Sequence, residues 1–101
     1  MVKLIALYKQ PENKEQFNDH YYNVHTPLAK AMPGLEKVEV TEMFGSPAGD
    51  SKYYLMAELY FKDKKTLFDS MGSAEGKAAA KDLMGFAGPL VTMMFGEVVE
   101  K

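Results

Sequence analysis

Three segments of this sequence have the composition of β-strands whose two faces are both apolar, a pattern that few folds accommodate. They are residues 2–8 (VKLIALY), 52–61 (KYYLMAELYF) and 90–99 (LVTMMFGEVV). An antiparallel sheet with one face in water alternates between apolar and polar residues, and these segments do not. The sheet that they form therefore needs a cover on each of its two sides.

Alternation within residues 52–61 assigns the side chains of this strand to two faces. Glu58 is the one charged residue in its central part. We expect one face to carry Tyr53, Leu55, Ala57, Leu59 and Phe61, and the other to carry Tyr54, Met56 and Tyr60. Both faces of this strand thus require apolar neighbours.

The remaining apolar residues supply helices for only one side of that sheet. Phe17, Tyr21, Val24 and Leu28 recur at i, i+4, i+7 and i+11, the spacing of a helix that packs by one face. Asn13 precedes them and can cap the N-terminus of the helix.

The pair Thr26-Pro27 predicts a break in this helix, with His25 at the joint. Proline lacks a backbone donor and disfavours helical angles at the residue before it. Threonine as a new N-cap and proline at the first helical position would begin a second short helix, which Pro33-Gly34 ends.

The rest of the chain completes a recognisable order of elements. Residues 35–44 alternate and predict a strand with one wet face, while 63–84 predict two helical stretches divided at Gly72-Ser73, with Ser73 as an N-cap. The order β, broken α, β, β, broken α, β fits the ferredoxin-like α+β fold. In that βαββαβ arrangement a four-stranded antiparallel sheet carries its helices on one face.

A second copy of the chain is the simplest cover for the other face of the sheet. Left in water, that face would expose more than the few hundred Å² of contiguous apolar surface that soluble monomers show. We therefore expect a homodimer that joins two sheets face to face, the alternative being a monomer with an exposed apolar face.

Composition narrows the range of partners and compartments. All twelve basic residues are lysines, the net charge is -2 and cysteine is absent. Without arginine or a positive charge, nucleic acid is not an expected partner. No apolar run is long enough to span a membrane. We expect one cytoplasmic domain formed by residues 1–101.

Two motifs resemble the signatures of a known family. Phe17, Tyr21, His25 and Pro27, followed by Gly34, form an aromatic-aromatic-His-x-Pro-Leu pattern. The later segment SAEGKAAAKDLMGFAG contains a second pattern, formed by Ser73, Gly76, Asp82 and Phe86. In this order they resemble the signatures of EthD-like proteins, named for ethyl tert-butyl ether degradation, in the dimeric α/β-barrel superfamily. Many members carry tryptophan where this chain has Tyr21.

The resemblance implies an architecture but no single reaction. It implies a ferredoxin-like fold that dimerises through its sheets into a dimeric α/β barrel, with a pocket between sheet and helices in each subunit. The superfamily includes cofactor-free monooxygenases, polyketide cyclases, muconolactone isomerases and heme-degrading enzymes. Fold alone therefore does not select one chemistry.

His25 and Tyr21 are the candidate catalytic residues. The His25 imidazole titrates near neutral pH and can act as a general base, or it can bond a free carbonyl at the helix break. The Tyr21 hydroxyl can stabilise an oxyanion, although its ring is also a core residue. Asp82 either braces a loop or takes part directly. The candidate substrate-binding residues are His20, Tyr8, Asp82, Phe86, Met93 and Phe95.

No metal site and no cofactor are predicted. His20 and His25 are five residues apart, one more than the i, i+4 spacing that places two ligands together on a helix. A glycine-rich phosphate loop and a nucleophile elbow are also absent from the sequence.

Three functions stay open at this point. The first is a cofactor-free oxygenase, isomerase or cyclase of degradation or secondary metabolism that acts on an apolar, aromatic or polyketide-like small molecule. The second is a non-catalytic ligand-binding or accessory protein of a degradation pathway. The third is a purely structural dimer whose pocket is filled by its own side chains.

Overall fold

Four antiparallel strands and the helices between them form the fold of the computed structural model, which describes residues 1–99. The strands follow the spatial order β2-β3-β1-β4, and every neighbouring pair is antiparallel. The predicted ferredoxin-like α+β fold is confirmed. The elements are β1 Val2–Lys9, α1 Lys14–His20, a π-helical turn Tyr21–His25, α2 Thr26–Lys30, β2 Lys37–Glu42, β3 Tyr53–Phe61, α3 Lys64–Gly72, α4 Ala74–Ala87 and β4 Val91–Glu97.

Side-chain caps fix the starts of the helices. The Asn13 side chain accepts a hydrogen bond from the backbone N–H of Gln16 at 2.9 Å, and Ser73 Oγ accepts one from Gly76 at 3.0 Å. Both N-caps agree with the sequence prediction. None of the helices within residues 1–99 has both the length and the apolar character needed to cross a bilayer.

The predicted break at Thr26-Pro27 is wrong, because the chain stays helical through it. Thr26 has helical angles, with φ at -58° and ψ at -45°, and is not an N-cap. Its backbone N–H and its hydroxyl both donate to the carbonyl oxygen of Tyr21, the hydroxyl at 2.8 Å. Pro27 cannot donate to the carbonyl four residues earlier and would crowd it in a regular α-helix. The wider π turn accommodates the proline without ending the helix.

The π turn also changes which residues face the core. The α-helical spacing predicted a buried Val24, yet Val24 is 44% exposed and His25 is only 7% exposed. The extra residue in the turn moves the inward position by one place, so His25 follows Tyr21 into the interior. Phe17 and Tyr21 are buried as predicted.

A bulge in β3 corrects a second expectation. Tyr8 pairs with Leu55 and Lys9 pairs with Tyr53, so Tyr54 is an extra residue in the ladder. Strict alternation placed Tyr54 on the same face as Met56, opposite Leu55, but a bulge redirects its side chain. The Tyr54 ring packs edge-on against the ring of Phe17 on α1, with the centroids 5.7 Å apart.

The face of the sheet away from the helices is largely apolar at its centre. We call this surface, formed around Ile5, Leu7, Met56 and Met94, the open face. Its apolar side chains are half-buried or exposed. A salt bridge between Lys3 Nζ and the carboxylate of Glu58 crosses it beside them.

Candidate functional site

A cavity of about 130 Å³ lies between the sheet and the helices. The sheet wall is formed by small and branched residues together with one tyrosine and one methionine: Leu4, Ala6, Tyr8, Val38, Ala57, Leu59 and Met93. The helical wall includes His25, Thr26, Ala29, Met32, Met71, Gly76, Ala79, Ala80, Leu83, Met84 and Tyr21. This is the pocket that the sequence resemblance implied between sheet and helices.

Three buried polar side chains gather at one end of this cavity. They are Tyr8, Tyr21 and His25, which are 1%, 3% and 7% exposed. The rings of Tyr8 and Tyr21 are edge-on with centroids 5.6 Å apart, and the rings of Tyr21 and His25 lie 5.8 Å apart. The other lining side chains are apolar apart from Thr26, whose hydroxyl is bonded to the helix backbone. The cavity thus combines apolar walls with one polar corner.

Asp82 on α4 bridges the two histidines of the chain. His25 Nδ1 lies 3.1 Å from Asp82 Oδ2, and His20 Nε2 lies 2.9 Å from Asp82 Oδ1. An ionised carboxylate can only accept hydrogen bonds, so each of these ring nitrogens carries the hydrogen. Neutral His25 therefore has an unprotonated Nε2, as in other aspartate-histidine pairs.

The π turn explains why both histidines reach one carboxylate. Residues five apart lie about 140° from each other around a regular α-helix. The turn from Tyr21 to His25 instead carries hydrogen bonds between residues i and i+5, so residues five apart lie close to one full turn from each other. His20 and His25 therefore project toward the same side, where α4 presents Asp82.

Phe86 holds the two imidazole rings against α4. Its ring stacks on His20 with the centroids 4.3 Å apart and lies 5.4 Å from that of His25. It also contacts Phe17 of α1, at 5.6 Å. Phe86 thus limits rotation of the histidine rings.

Burial determines the protonation states at the polar corner. It lowers the pKa of His25 below the usual 6.5, an effect that the hydrogen bond to Asp82 partly opposes. Burial raises the pKa of Tyr21 to about 12, an effect that the neighbouring Thr26 side chain partly opposes. It also raises the pKa of Tyr8. At neutral pH the corner therefore presents one unprotonated base and two hydroxyl donors.

The residues proposed from the sequence fall into three positions. Tyr8, Tyr21, His25 and Met93 line the cavity. His20, Asp82 and Phe86 form a layer behind His25 and do not line it. Phe95 does not line the cavity and is 55% exposed. Its ring instead packs edge-on against that of Phe68 on α3, with the centroids 5.2 Å apart.

Sequence reasoning missed the small residues that create the space. Ala6, Ala29, Ala57, Ala79 and Gly76 leave a gap between helix and sheet where larger side chains would fill the core. The available signal was the run AEGKAAAKD, which was interpreted only as a predicted helix and as part of the second family motif.

Side chains that could hold a metal ion are not grouped together in the described part of the chain. No set of three or more His, Cys, Asp or Glu residues has a suitable arrangement there. The two histidine nitrogens that face Asp82 are already bonded to it.

Comparison with known proteins agrees with this architecture. The EthD domain model matches residues 9–89. The structure of an ethyl tert-butyl ether degradation (EthD) family protein from Bacillus halodurans is 54% identical, with a TM-score of 0.96 over 98% of this chain and 99% of that one. A dimeric protein with a ferredoxin-like fold from Bacteroides fragilis shares the fold at 16% identity, with a TM-score of 0.63 over 96% and 95% of the two chains.

Sequence similarity extends to a further bacterial protein. An uncharacterized 11.0 kDa protein in the thcB-thcC intergenic region of Rhodococcus erythropolis is 30% identical over 95 residues, which covers 94% of this chain and 92% of that protein. The family model and these matches span most of the chain. The chain therefore belongs to the EthD domain family.

Proposed function

We propose that this protein is an enzyme that removes a proton from a small, mainly apolar molecule without a cofactor. His25 is the general base, and Tyr21 stabilises the negative charge that develops on the substrate oxygen. Cofactor-free oxygenases, isomerases and cyclases can all begin with this step.

The buried His25–Asp82 pair carries the proposal. Asp82 fixes the imidazole by accepting the Nδ1 hydrogen, and the remaining nitrogen belongs to a ring that lines an apolar cavity. A lowered pKa keeps His25 unprotonated near neutral pH, which a base requires. Exclusion of water by the apolar walls strengthens the electrostatic effects of the polar corner.

The proposed step is balanced in protons and charge. His25 Nε2 takes a proton from an O–H or from a C–H next to a carbonyl group. The electron pair of the broken bond remains on the substrate as an oxygen anion. The resulting imidazolium keeps its Nδ1 hydrogen bond to Asp82, whose negative charge stabilises it.

Hydrogen-deuterium exchange tests this step without knowledge of the natural substrate. Small ketones such as cyclohexanone are incubated with the protein in D₂O, and loss of the α-hydrogen signal is followed by NMR. His25→Ala is expected to lower the protein-catalysed rate at least about 100-fold, with partial rescue by added imidazole. Tyr22→Phe is the control, because the Tyr22 hydroxyl bonds Glu42 away from the cavity.

A folded His25→Ala variant that exchanges at the wild-type rate would remove His25 as the base. Saturable binding of ketones to the wild type without any exchange would instead favour the second candidate function, a non-catalytic ligand-binding or accessory protein. The almost wholly apolar lining supports that candidate, since such walls suit ligand storage as well as catalysis.

We also propose that residues 1–101 act as one cytoplasmic domain that forms a homodimer through the open face. Partly exposed Ile5, Leu7, Met56 and Met94 on that face support this assembly, as does the dimeric Bacteroides fragilis protein of the same fold. Sedimentation should show twice the 11.3 kDa chain mass. Leu7→Lys, which places a charge in the middle of this face, should yield monomers, and a monomeric wild type at micromolar concentration would refute the assembly.

A further inference from the structure

The dimensions of the cavity limit the size of any ligand. Its volume is about 130 Å³. A dry engineered cavity of about 150 Å³ in another protein binds benzene. The present cavity therefore fits about one six-membered ring with a small substituent. A fused two-ring skeleton would not be enclosed unless the walls moved.

The lining also limits the charge of the ligand. Among residues 1–99, no lysine, aspartate or glutamate lines the cavity. A carboxylate ligand would lose its hydration without gaining a cationic partner, which is costly. The nearby Asp82 would repel it, and both oxygens of Asp82 already accept hydrogen bonds from the histidines. An uncharged ligand is therefore favoured.

The Tyr8 hydroxyl supplies the third constraint. Tyr8 is 1% exposed and lines the cavity, and its hydroxyl forms no hydrogen bond with the other residues that the structure describes. Within residues 1–99 the fully buried side-chain oxygen that lacks a partner is Ser70 Oγ and not the Tyr8 hydroxyl, so the Tyr8 hydroxyl keeps access to the cavity. Its ring adjoins that of Tyr21 at the polar corner, so a ligand oxygen placed there could reach both hydroxyls.

We infer that the cavity takes an uncharged ligand of at most one ring, whose single phenol or ketone oxygen is bound jointly by the hydroxyls of Tyr8 and Tyr21. This inference rests on the proposed function, because such an oxygen carries the negative charge once His25 has removed the proton. It adds Tyr8 as a second donor to the developing anion and restricts the substrate class.

A panel of four probes tests the inference by binding alone. Calorimetry or NMR titration at pH 7 compares phenol with toluene, which lacks the oxygen, with benzoate, which is charged, and with 1-naphthol, which has two rings. We expect phenol to bind about tenfold more tightly than each of the others, because toluene accepts neither hydrogen bond, benzoate must lose its hydration without a cationic partner, and 1-naphthol exceeds the cavity.

Paired variants identify the donor. Tyr8→Phe should bring the affinity for phenol closer to that for toluene, because only the Tyr21 donor remains, while leaving toluene binding unchanged. Tyr22→Phe removes a neighbouring hydroxyl that bonds Glu42 outside the cavity and should alter neither affinity. Loss of toluene binding in Tyr8→Phe would indicate a collapsed pocket, and Tyr21→Phe then provides the same comparison from the second donor.

The possible outcomes separate this inference from the proposed function. Equal binding of phenol and toluene, or binding of benzoate or 1-naphthol as tight as that of phenol, overturns the inference even if ketone exchange depends on His25. The expected ranking without any His25-dependent exchange upholds the inference about the ligand and refutes the proposed enzyme.

Discussion

Filling the cavity from its helical wall should make the protein more stable and abolish ligand binding. Ala79 is buried on α4 and lines the cavity, so Ala79→Leu extends three further carbon atoms into it. At about 24 cal/mol per Å³, an empty cavity of this volume costs about 3 kcal/mol of stability, which sets the upper limit of the gain.

The expected gain is smaller than this limit. Three buried carbon atoms are worth about 2.4 kcal/mol at about 0.8 kcal/mol each. Fixing the leucine side chain costs about 0.5–1 kcal/mol. We therefore expect the free energy of unfolding to rise by about 1–2 kcal/mol, or roughly 4–16 °C in melting temperature for a domain of this size.

Urea unfolding and phenol titration measure the two effects. Ala78→Leu is a matched control, because Ala78 precedes Ala79 on the same helix but is exposed and does not line the cavity. It should change stability by less than about 0.5 kcal/mol and leave phenol binding intact.

Destabilisation of Ala79→Leu by more than about 1 kcal/mol together with unchanged phenol binding would refute the cavity as the ligand site. Loss of both stability and binding would indicate that leucine overpacks this wall. Ala57→Val then fills the space from the sheet with a residue suited to strands. It should stabilise the protein if the gap is real.

The remaining predictions concern the histidines and one glycine. The rate of ketone hydrogen-deuterium exchange should decrease below pH 6.5, where His25 becomes protonated. His20→Gln should move this decrease to higher pH, because the charge of His20 lowers the pKa of His25. Asp82→Asn should move it to lower pH and reduce the rate at least about 100-fold, since the carboxylate raises the pKa of His25 and fixes its ring. Urea unfolding should show stability decreasing as the pH falls below 6.5, because the unfolded chain then binds more protons than buried His25. Gly76→Ala should lower the free energy of unfolding by about 1–3 kcal/mol or more, because the added Cβ would lie 2.1 Å from a backbone oxygen of α3. Gly85→Ala on the same helix is the control: its Cβ would meet nothing within 4 Å, and the free energy of unfolding should rise by about 0.5–1 kcal/mol.

The periodicity of apolar residues was sufficient to predict the fold, because each strand and helix has a pattern that can be recognised in its own sequence. The N-caps at Asn13 and Ser73 and the order of elements follow from local chemistry that depends on a few neighbouring residues. The face of the sheet on which the Tyr54 side chain lies could not be predicted in the same way. It depends on a bulge that arises from pairing between β1 and β3, strands more than forty positions apart in the sequence.

The candidate site was predictable in its residue types but not in its arrangement. The sequence identified His25, Tyr21, Tyr8 and Asp82 as polar groups in apolar surroundings. It did not show that Asp82 would accept hydrogen bonds from both histidines, because that contact joins residues 57 and 62 positions apart. The size of the cavity was equally hidden, since an alanine that lines a space and one that packs against a neighbour have the same spacing.

The proline and the histidine pair have a common explanation in the π turn. In a regular α-helix the ring of Pro27 would crowd the carbonyl group four residues earlier, and His25 would point away from the side that His20 occupies. One additional residue in the turn relieves the first conflict and removes the second, because residues five apart then share a side. A five-residue spacing between two histidines just before Thr-Pro is therefore compatible with a shared carboxylate, although the same spacing on an α-helix would argue against one.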